Sequence, residues 1–383
     1  MTRILYILPG PSPLSEDTQR NNFFHLSKYF DGDVLATMWG VKSPESIRRI
    51  DEINLAMGNF RYHVTYSSRL PILIKVFWNV LFFVSRGFYF HYFKKKYDVI
   101  VAYGPFTTGI AGLLLKKLTG VKLIIEMPGN PKKAFFFDAK KISITHRIKR
   151  RLADLIVPFV INSADHLKLL YPNQLSGYKN IDDKHASVFH TLVPISSLTP
   201  VDRYDEYILF LGYPWFLKGV DVLIRAFKLI SQEFPNYILK VVGFCPERAF
   251  FQELAEGNEK IELCNPVFPK EAMDLLSKCA LFILPSRTEA MGRVLLEAMA
   301  FKKPIIASNV DGIPFYIQHG FNGLLFKSEN ADDLAEKITM VLKDREYASV
   351  LGQNGYEYAH RNLSETSYID SFKKMVEQIL SQH

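Results

Sequence analysis

Cysteine is scarce in this chain: Cys245, Cys264 and Cys279 are the only three in 383 residues. Their spacing matches neither an even-numbered disulfide framework nor a metal-ligand pair, which fits a reduced cytoplasmic interior. The ten histidines are scattered, with no His-x-x-x-His or Cys/His cluster, so no structural metal is expected. Tandem repeats and low-complexity tracts are absent, as in an ordinary globular protein. Long uninterrupted apolar runs are absent too. The most hydrophobic stretch, Pro71 to Phe93, is broken by Lys75, Asn79, Arg86 and His91. A spanning helix wants about 20 mostly apolar residues, so no transmembrane segment is expected. The opening MTRILYILPGPSP has too short an apolar core for a secretory signal and reads as a strand and turn.

What the chain does have is ordinary globular composition, 48% hydrophobic and 22% charged, and enough length for two domains. Its net charge of +8 is unevenly placed. Lys94, Lys95 and Lys96 follow the aromatic stretch, and Lys132, Lys133, Lys140, Lys141, Arg147, Lys149, Arg150 and Arg151 crowd a second region. Basic residues interleaved with Phe, Trp and Tyr suit an anionic membrane surface. They suit a solvated basic face beside a buried helix equally well, and both readings stay open. Nucleic acid is not expected as a partner, because no recognition helix or RNA-binding signature accompanies the charge.

Short apolar runs alternate with helical patterns almost throughout, which predicts parallel α/β architecture. In the first half the strand candidates are Ile4–Leu8, Val34–Met38, Tyr62–Tyr66, Val99–Tyr103, Leu123–Ile125 and Phe159–Ile161. The texture turns polar from Asn173 to Pro200, with HTLVPISSLTP as linker, and the alternation restarts at Tyr207. Residues 1–195 and 196–362 therefore read as two domains, with a C-terminal helix over about 363–383 expected to pack back on the first. A crevice at the carboxyl ends of parallel strands is where such folds bind ligands. Asp31-Gly32-Asp33 reads as a turn rather than a metal-diphosphate site.

The stretch PSRTEAMGRVLLEAMAFKKPIIAS, Pro285 to Ser308, holds two carboxylates eight positions apart, Glu289 and Glu297. A buried-type strand ends in an exposed-looking loop (Ser286, Arg287, Thr288), and Gly292 opens a helix carrying Glu297. The first amides of that helix, near Met291 to Val294, have no intrahelical partners and favour a phosphate. Carboxylates would repel that phosphate but accept from hydroxyls on either side, as in a nucleotide sugar. Eight residues at helical rise span about 12 Å, of the order of the ribose-to-sugar separation. Two solvated glutamates on an ordinary strand–loop–helix unit remain the alternative.

In wider context, PSRTEAMGRVLLEAMAFKKPIIASNVDGIPFYIQHGFNGLLF resembles the hallmark stretch of the retaining glycosyltransferases of family 4, with its E-x7-E motif. LFLGYPWFLKGVDVLIRAFKLI upstream is similar to the same family, while the first half resembles it only in overall pattern. The resemblance implies a GT-B fold, two Rossmann-like domains with parallel sheets facing each other across a cleft. It implies transfer of a sugar from a UDP- or GDP-sugar to a saccharide or lipid-linked acceptor with retention, with no cofactor and no metal. Glu289 would accept from the donor sugar and Glu297 from the ribose. Amides near Met291, Gly292, Arg293 and Val294 would cradle the diphosphate, and Lys218, with Gly212 giving close approach, would neutralise the leaving phosphate. Tyr213 stands where the family usually has an arginine, which leaves Arg293 as candidate for the second positive charge. No histidine follows the strand in LIIEMPGNP; Glu126, Asn130 and Gly10 are the weaker candidates on the acceptor or sugar side. Cell-surface polysaccharide, lipopolysaccharide or glycolipid synthesis, in the cytoplasm or at the inner face of the membrane, is the expected setting. A nucleotide-sugar epimerase or a non-catalytic binding protein on the same fold are the competing readings.

Overall fold

The computed structural model describes the chain except residues 11–13, 39–42, 67–71, 135–143, 179–180, 182–184, 202–203 and 382–383, and leaves aside the side chains of 46, 72–73, 133–134 and 144–150. Two compact units emerge: Met1–Lys132 with Ile142–Leu192 and Tyr368–His383, and Val193–Ser367.

In the first unit, seven strands form β1 (Thr2–Ile7), β2 (Phe30–Met38), β3 (Phe60–Tyr66), β4 (Val99–Tyr103), β5 (Lys122–Glu126), β6 (His166–Leu169) and β7 (Ala186–Val188). They pair in parallel in the order β3-β2-β1-β4-β5-β6-β7. The helices are α1 (Asn22–Leu26), α2 (Pro44–Leu55), α3 (Ile72–Phe93), α4 (Thr107–Thr119), α5 (Pro131–Ala134) and α6 (Ile144–Ser163). The strand order reverses after β1, and right-handed crossovers then send α3, α4 and α6 to the face opposite α1 and α2. On the α1 and α2 side, Tyr6, Phe23, Phe30 and Phe60 form one core with Tyr368, Phe372 and Val376. On the other side α3 packs on α4, and α4 on α6.

The second unit contains β8 (Asp205–Leu211), β9 (Ile238–Val242), β10 (Ile261–Cys264), β11 (Cys279–Leu284), β12 (Ile305–Ser308) and β13 (Leu324–Phe326), paired in parallel in the order β10-β9-β8-β11-β12-β13. Its helices are α7 (Val220–Ile230), α8 (Arg248–Ala255), α9 (Pro269–Lys278), α10 (Arg293–Ala300), α11 (Ile313–Tyr316), α12 (Ala331–Lys343) and α13 (Arg345–Asn362); the last helix, α14 (Glu365–Leu380), belongs from Tyr368 onward to the first unit. The helical spacing of GVDVLIRAFKLI is realised: Val220, Leu223, Ile224, Phe227 and Ile230 are buried along one side of α7. Asn330 caps α12 by accepting from the Asp333 amide at 3.0 Å, with Asp332 and Asp333 in the first turn. The strand order of this sheet reverses between β8 and β11. The carboxyl ends of two such strands are where open α/β sheets bind their ligands.

Two local expectations need correction. Phe159–Ile161 is not a strand but lies within α6; the strand comes after it, at His166–Leu169, where the chain returns to the sheet edge. Asp31–Asp33 is not a turn but part of β2. Its carboxylates are held by cations instead of facing outward: Arg3 reaches Asp33 at 2.5 Å and Asp31 at 3.4 Å, and Lys95 reaches Asp31 at 3.1 Å. Burial alone would raise the Asp33 carboxyl, but hydrogen bonds with His63 and Tyr97 and the charges of His63 and Arg3 hold it below its usual value. Among the described residues no cluster of His, Cys, Asp and Glu could hold a metal ion, and no helix is long and apolar enough to cross a membrane. Of the second basic region, Lys140 and Lys141 lie outside the described residues, as do the side chains of Lys133, Arg147, Lys149 and Arg150.

His166 yields a pH prediction. Its Nε2 lies 2.8 Å from Ser187 Oγ, its Nδ1 has no partner among the described residues, and burial, aided by His185, pushes its pKa down to about 4. The unfolded chain binds this proton near pH 6.5, so stability should fall as the pH is lowered from about 6.5 towards 4. Melting temperatures measured across that range should fall less steeply for His166→Gln than for the wild type. Equal slopes would assign the acid sensitivity to other groups.

Candidate functional site

At the carboxyl ends of β8 and β11 two loops meet. The first, residues 212–219, leaves β8 at Gly212, whose amide donates to Val242 O at 3.1 Å. It then coils through short-range bonds, Lys218 N to Pro214 O at 3.0 Å and Gly219 N to Phe216 O at 3.1 Å, over the buried Trp215. Gly219 takes φ +69°, and a Cβ there would fall 1.9 Å from Pro285 O. Only glycine permits that approach. The second loop, 285–292, leaves β11 and enters α10.

Arg287 joins them. Its Nη1 and Nη2 donate to Asp221 Oδ1 and Oδ2 at 2.8 and 2.9 Å, its Nε to Glu329 at 2.6 Å, and Nη1 also bonds Phe216 O. The guanidinium lies over the Phe216 ring at 4.2 Å, and the Arg287 amide donates to Leu217 O at 2.9 Å. Burial would lower the arginine pKa, yet the hydrogen bonds and charge of Asp221, with Glu329, raise it. The exposed-looking loop is therefore not exposed. The Arg287 side chain keeps 7% exposure, and Ser286 is fully buried, its carbonyl accepting from Ser308 Oγ at 2.5 Å.

Held in this way, Lys218 Nζ lies 2.5 Å from Glu289 Oε2, with both side chains largely buried. Ser286 Oγ adds a bond to the same oxygen at 3.4 Å. The Glu289 backbone is fixed on both sides, its amide donating to Asp311 Oδ2 at 3.2 Å and its carbonyl accepting from Gly312 N at 3.1 Å. Thr288 Oγ1 donates to Asp311 Oδ2 at 2.5 Å.

Gly292, at φ +71°, stands before α10 without any side-chain cap. The amides at the start of α10 thus have no capping side chain, an arrangement that favours an anion. Arg293 is exposed, Val294 half-buried and Met291 buried. Glu297 lies half-buried in α10, whereas Glu289 is on the loop before it, so helical rise does not measure their separation. Tyr213 projects outward with its ring 5.4 Å from that of Phe244.

The first-unit candidates are in another unit. Gly10 follows β1, where a Cβ would meet Thr37 O at 1.9 Å. Glu126 ends β5 buried, accepting from Tyr6 OH at 3.4 Å and Lys168 Nζ at 3.5 Å. Asn130 is buried and donates to Gln174 O and Ser176 O while accepting from Lys132 N. These contacts account for Glu126 and Asn130 as internal polar anchors.

Asp221, Arg287 and Asp311 carry no role in the sequence reading. One signal was available: Asp221 falls among the buried residues of α7, where a carboxylate needs cations, and Arg225 one turn on reaches it at 3.2 Å from the more exposed side.

Residues 199–358, less than half of the chain, match the family described as glycosyl transferases group 1. An uncharacterised glycosyltransferase of Methanocaldococcus jannaschii, MJ1178, is 29% identical over 284 residues, 74% of this chain and 76% of its own length. Among solved structures, a sucrose-phosphate synthase from Thermosynechococcus elongatus has a TM-score of 0.76 at 17% identity, covering 100% of both chains. Anabaena HepE, solved with UDP and glucose, has a TM-score of 0.71 at 16% identity, covering 99% of this chain and 100% of its own. What these structures share with the chain is the fold, GT-B. The family match and the relative MJ1178 support a glycosyltransferase of group 1.

The Arg287–Asp221 pair makes a stability prediction. Breaking a buried pair costs about 3–5 kcal/mol, so Asp221→Ala should lose about 3 kcal/mol or more in urea unfolding. Replacing both partners by Asp221→Leu with Arg287→Met should recover most of it. A loss below about 1 kcal/mol for Asp221→Ala would show that Glu329 alone satisfies the arginine.

Proposed function

We propose that the chain is a retaining glycosyltransferase that moves a sugar from a UDP- or GDP-sugar to a hydroxyl of a saccharide or lipid-linked acceptor. The observation that carries this reading is the Lys218–Glu289 pair at 2.5 Å beside the uncapped start of α10. A cation and a carboxylate held together in one place offer opposite services to one ligand: the amine to phosphate oxygens, the carboxylate to hydroxyls.

The diphosphate would lie against the amides of Gly292 to Val294, with Lys218 moving from Glu289 to the leaving phosphate. Glu289 then accepts from the sugar hydroxyls and Glu297 from the ribose. The bond between the anomeric carbon and the phosphate oxygen breaks, and the acceptor oxygen bonds to that carbon on the same face. The acceptor proton passes to the departing phosphate, so retention needs no protein nucleophile. Negative charge grows on the phosphate as the sugar becomes oxocarbenium-like, and Lys218 with the helix amides meets that charge. In this reading no divalent metal is needed. HepE, solved with UDP, supports a uridine nucleotide as the first donor to try.

A thermal-shift panel of nucleoside diphosphates and their sugars identifies the donor, because a ligand bound only to the folded state raises Tm by mass action. With that donor, Lys218→Ala and Glu289→Ala should each lower kcat by about 10²-fold or more in protein that is still folded at the assay temperature, even though loss of the ion pair lowers Tm. The product's anomeric proton coupling should match that of the donor sugar. Wild-type turnover in either variant removes the assigned role, and an inverted product removes the same-face path.

A further inference from the structure

We propose that the outer face of α3, continued by α4 and α6, is a docking surface for an anionic lipid bilayer. The helix α3 is inverted relative to an ordinary surface helix. Its buried residues, Asn79, Phe83, Gly87 and His91, recur every fourth position and form one inward stripe. A Cβ at Gly87 would lie 2.7 Å from Leu115, so the stripe seats α3 directly on α4. At 3.6 residues per turn the opposite side should be polar. Instead Ile74, Phe77, Trp78, Leu81, Phe88 and Tyr92 stand there exposed, Phe77 at 68%. Leu114 and Leu118 of α4 and Leu155 and Phe159 of α6, all exposed, extend the patch across neighbouring helices. Scattered surface apolar residues are normal, but a contiguous band of this kind marks an interaction site.

Charge decides the occupant. From Ile72 to Tyr97, and again through α4, the sequence contains no Asp or Glu. Arg86, Lys94, Lys96 and Lys117 surround the aromatics, all exposed, while Lys95 beside them is paired with Asp31. Bulky aromatics with a basic rim match the interface of a negatively charged membrane; the acid that α6 adds beside Leu155, Asp154, is paired with Lys132 at 3.5 Å. Trp78 and Tyr92 carry the amphipathic character such an interface selects. The Trp78 indole donates to Thr65 Oγ1 at 3.2 Å and the Tyr92 hydroxyl to Leu118 O at 3.2 Å, leaving the ring faces to the outside. No helix of the described residues can span a bilayer, so contact would be lateral, with α3 lying along the surface.

The test is flotation of the full chain with vesicles of phosphatidylglycerol and phosphatidylcholine. Binding should be strong at low salt, fall as salt rises, and vanish on pure phosphatidylcholine. Phe77→Asp with Leu81→Asp, and separately Lys94→Glu with Lys96→Glu, should each reduce bound protein at least tenfold while Tm stays near wild type. Tryptophan emission should be quenched by brominated acyl chains in the wild type, and the quenching should disappear in Trp78→Phe. Absence of flotation on anionic vesicles at low salt overturns the proposal. So does a concentration-dependent dimer abolished by the same substitutions, which would make the occupant a second copy of the chain.

Discussion

Arg287 and Asp221 meet in a two-point ion pair almost out of water, and the loops at the carboxyl ends of β8 and β11 depend on it. Taking both charges from water costs several kcal/mol each, and only good geometry with further hydrogen bonds offsets that. Here the offsets are visible: two parallel N–H···O bonds, a third donor on Glu329, a carbonyl of the opposite loop and the face of Phe216. The guanidinium is the group suited to this, since its planar fork can satisfy a carboxylate and a carbonyl at once. The pair does not touch the proposed ligand; it positions the residues that would.

From that constraint the rest of the site follows. Gly219 can approach Pro285 only without a side chain, and Lys218, one residue earlier, then faces Glu289. Asp311 fixes the Glu289 backbone from the other side, and Gly292 begins α10 without a cap. A capping Ser or Asp would stabilise the isolated helix by about 1 kcal/mol. Its absence leaves the helix start open to an anion, a local instability that a bound diphosphate would remove.

Much of this was legible in the sequence, for identifiable reasons. The alternation of short β-branched runs with helical periods is a local signal, so the parallel α/β architecture of the second unit could be read directly. Glu289 and Gly292 stand out by type and spacing at a strand–loop–helix junction, whereas Lys218 stands out only through the family resemblance. What failed to show was partnership at long range. Arg287 reads as an exposed loop residue because nothing in SRTEA announces that Asp221 lies beside it, 66 positions away. Asp31 and Asp33 passed for a turn because their cations, Arg3 and Lys95, come from elsewhere in the fold. Phe159–Ile161 was mistaken for a strand because a short apolar run looks alike in a helix and in a strand. The open question of the basic, aromatic stretch could be narrowed only once burial separated the inner stripe of α3 from its outer side.

The most direct measurement is a crystal structure of the chain with its nucleotide-diphosphate sugar. The diphosphate should lie against the first amides of α10, with Lys218 Nζ drawn from Glu289 to a phosphate oxygen, Glu289 on the sugar hydroxyls and Glu297 on the ribose. A donor bound away from α10, or one bound there with the Lys218–Glu289 contact still closed at 2.5 Å, would contradict the assignment.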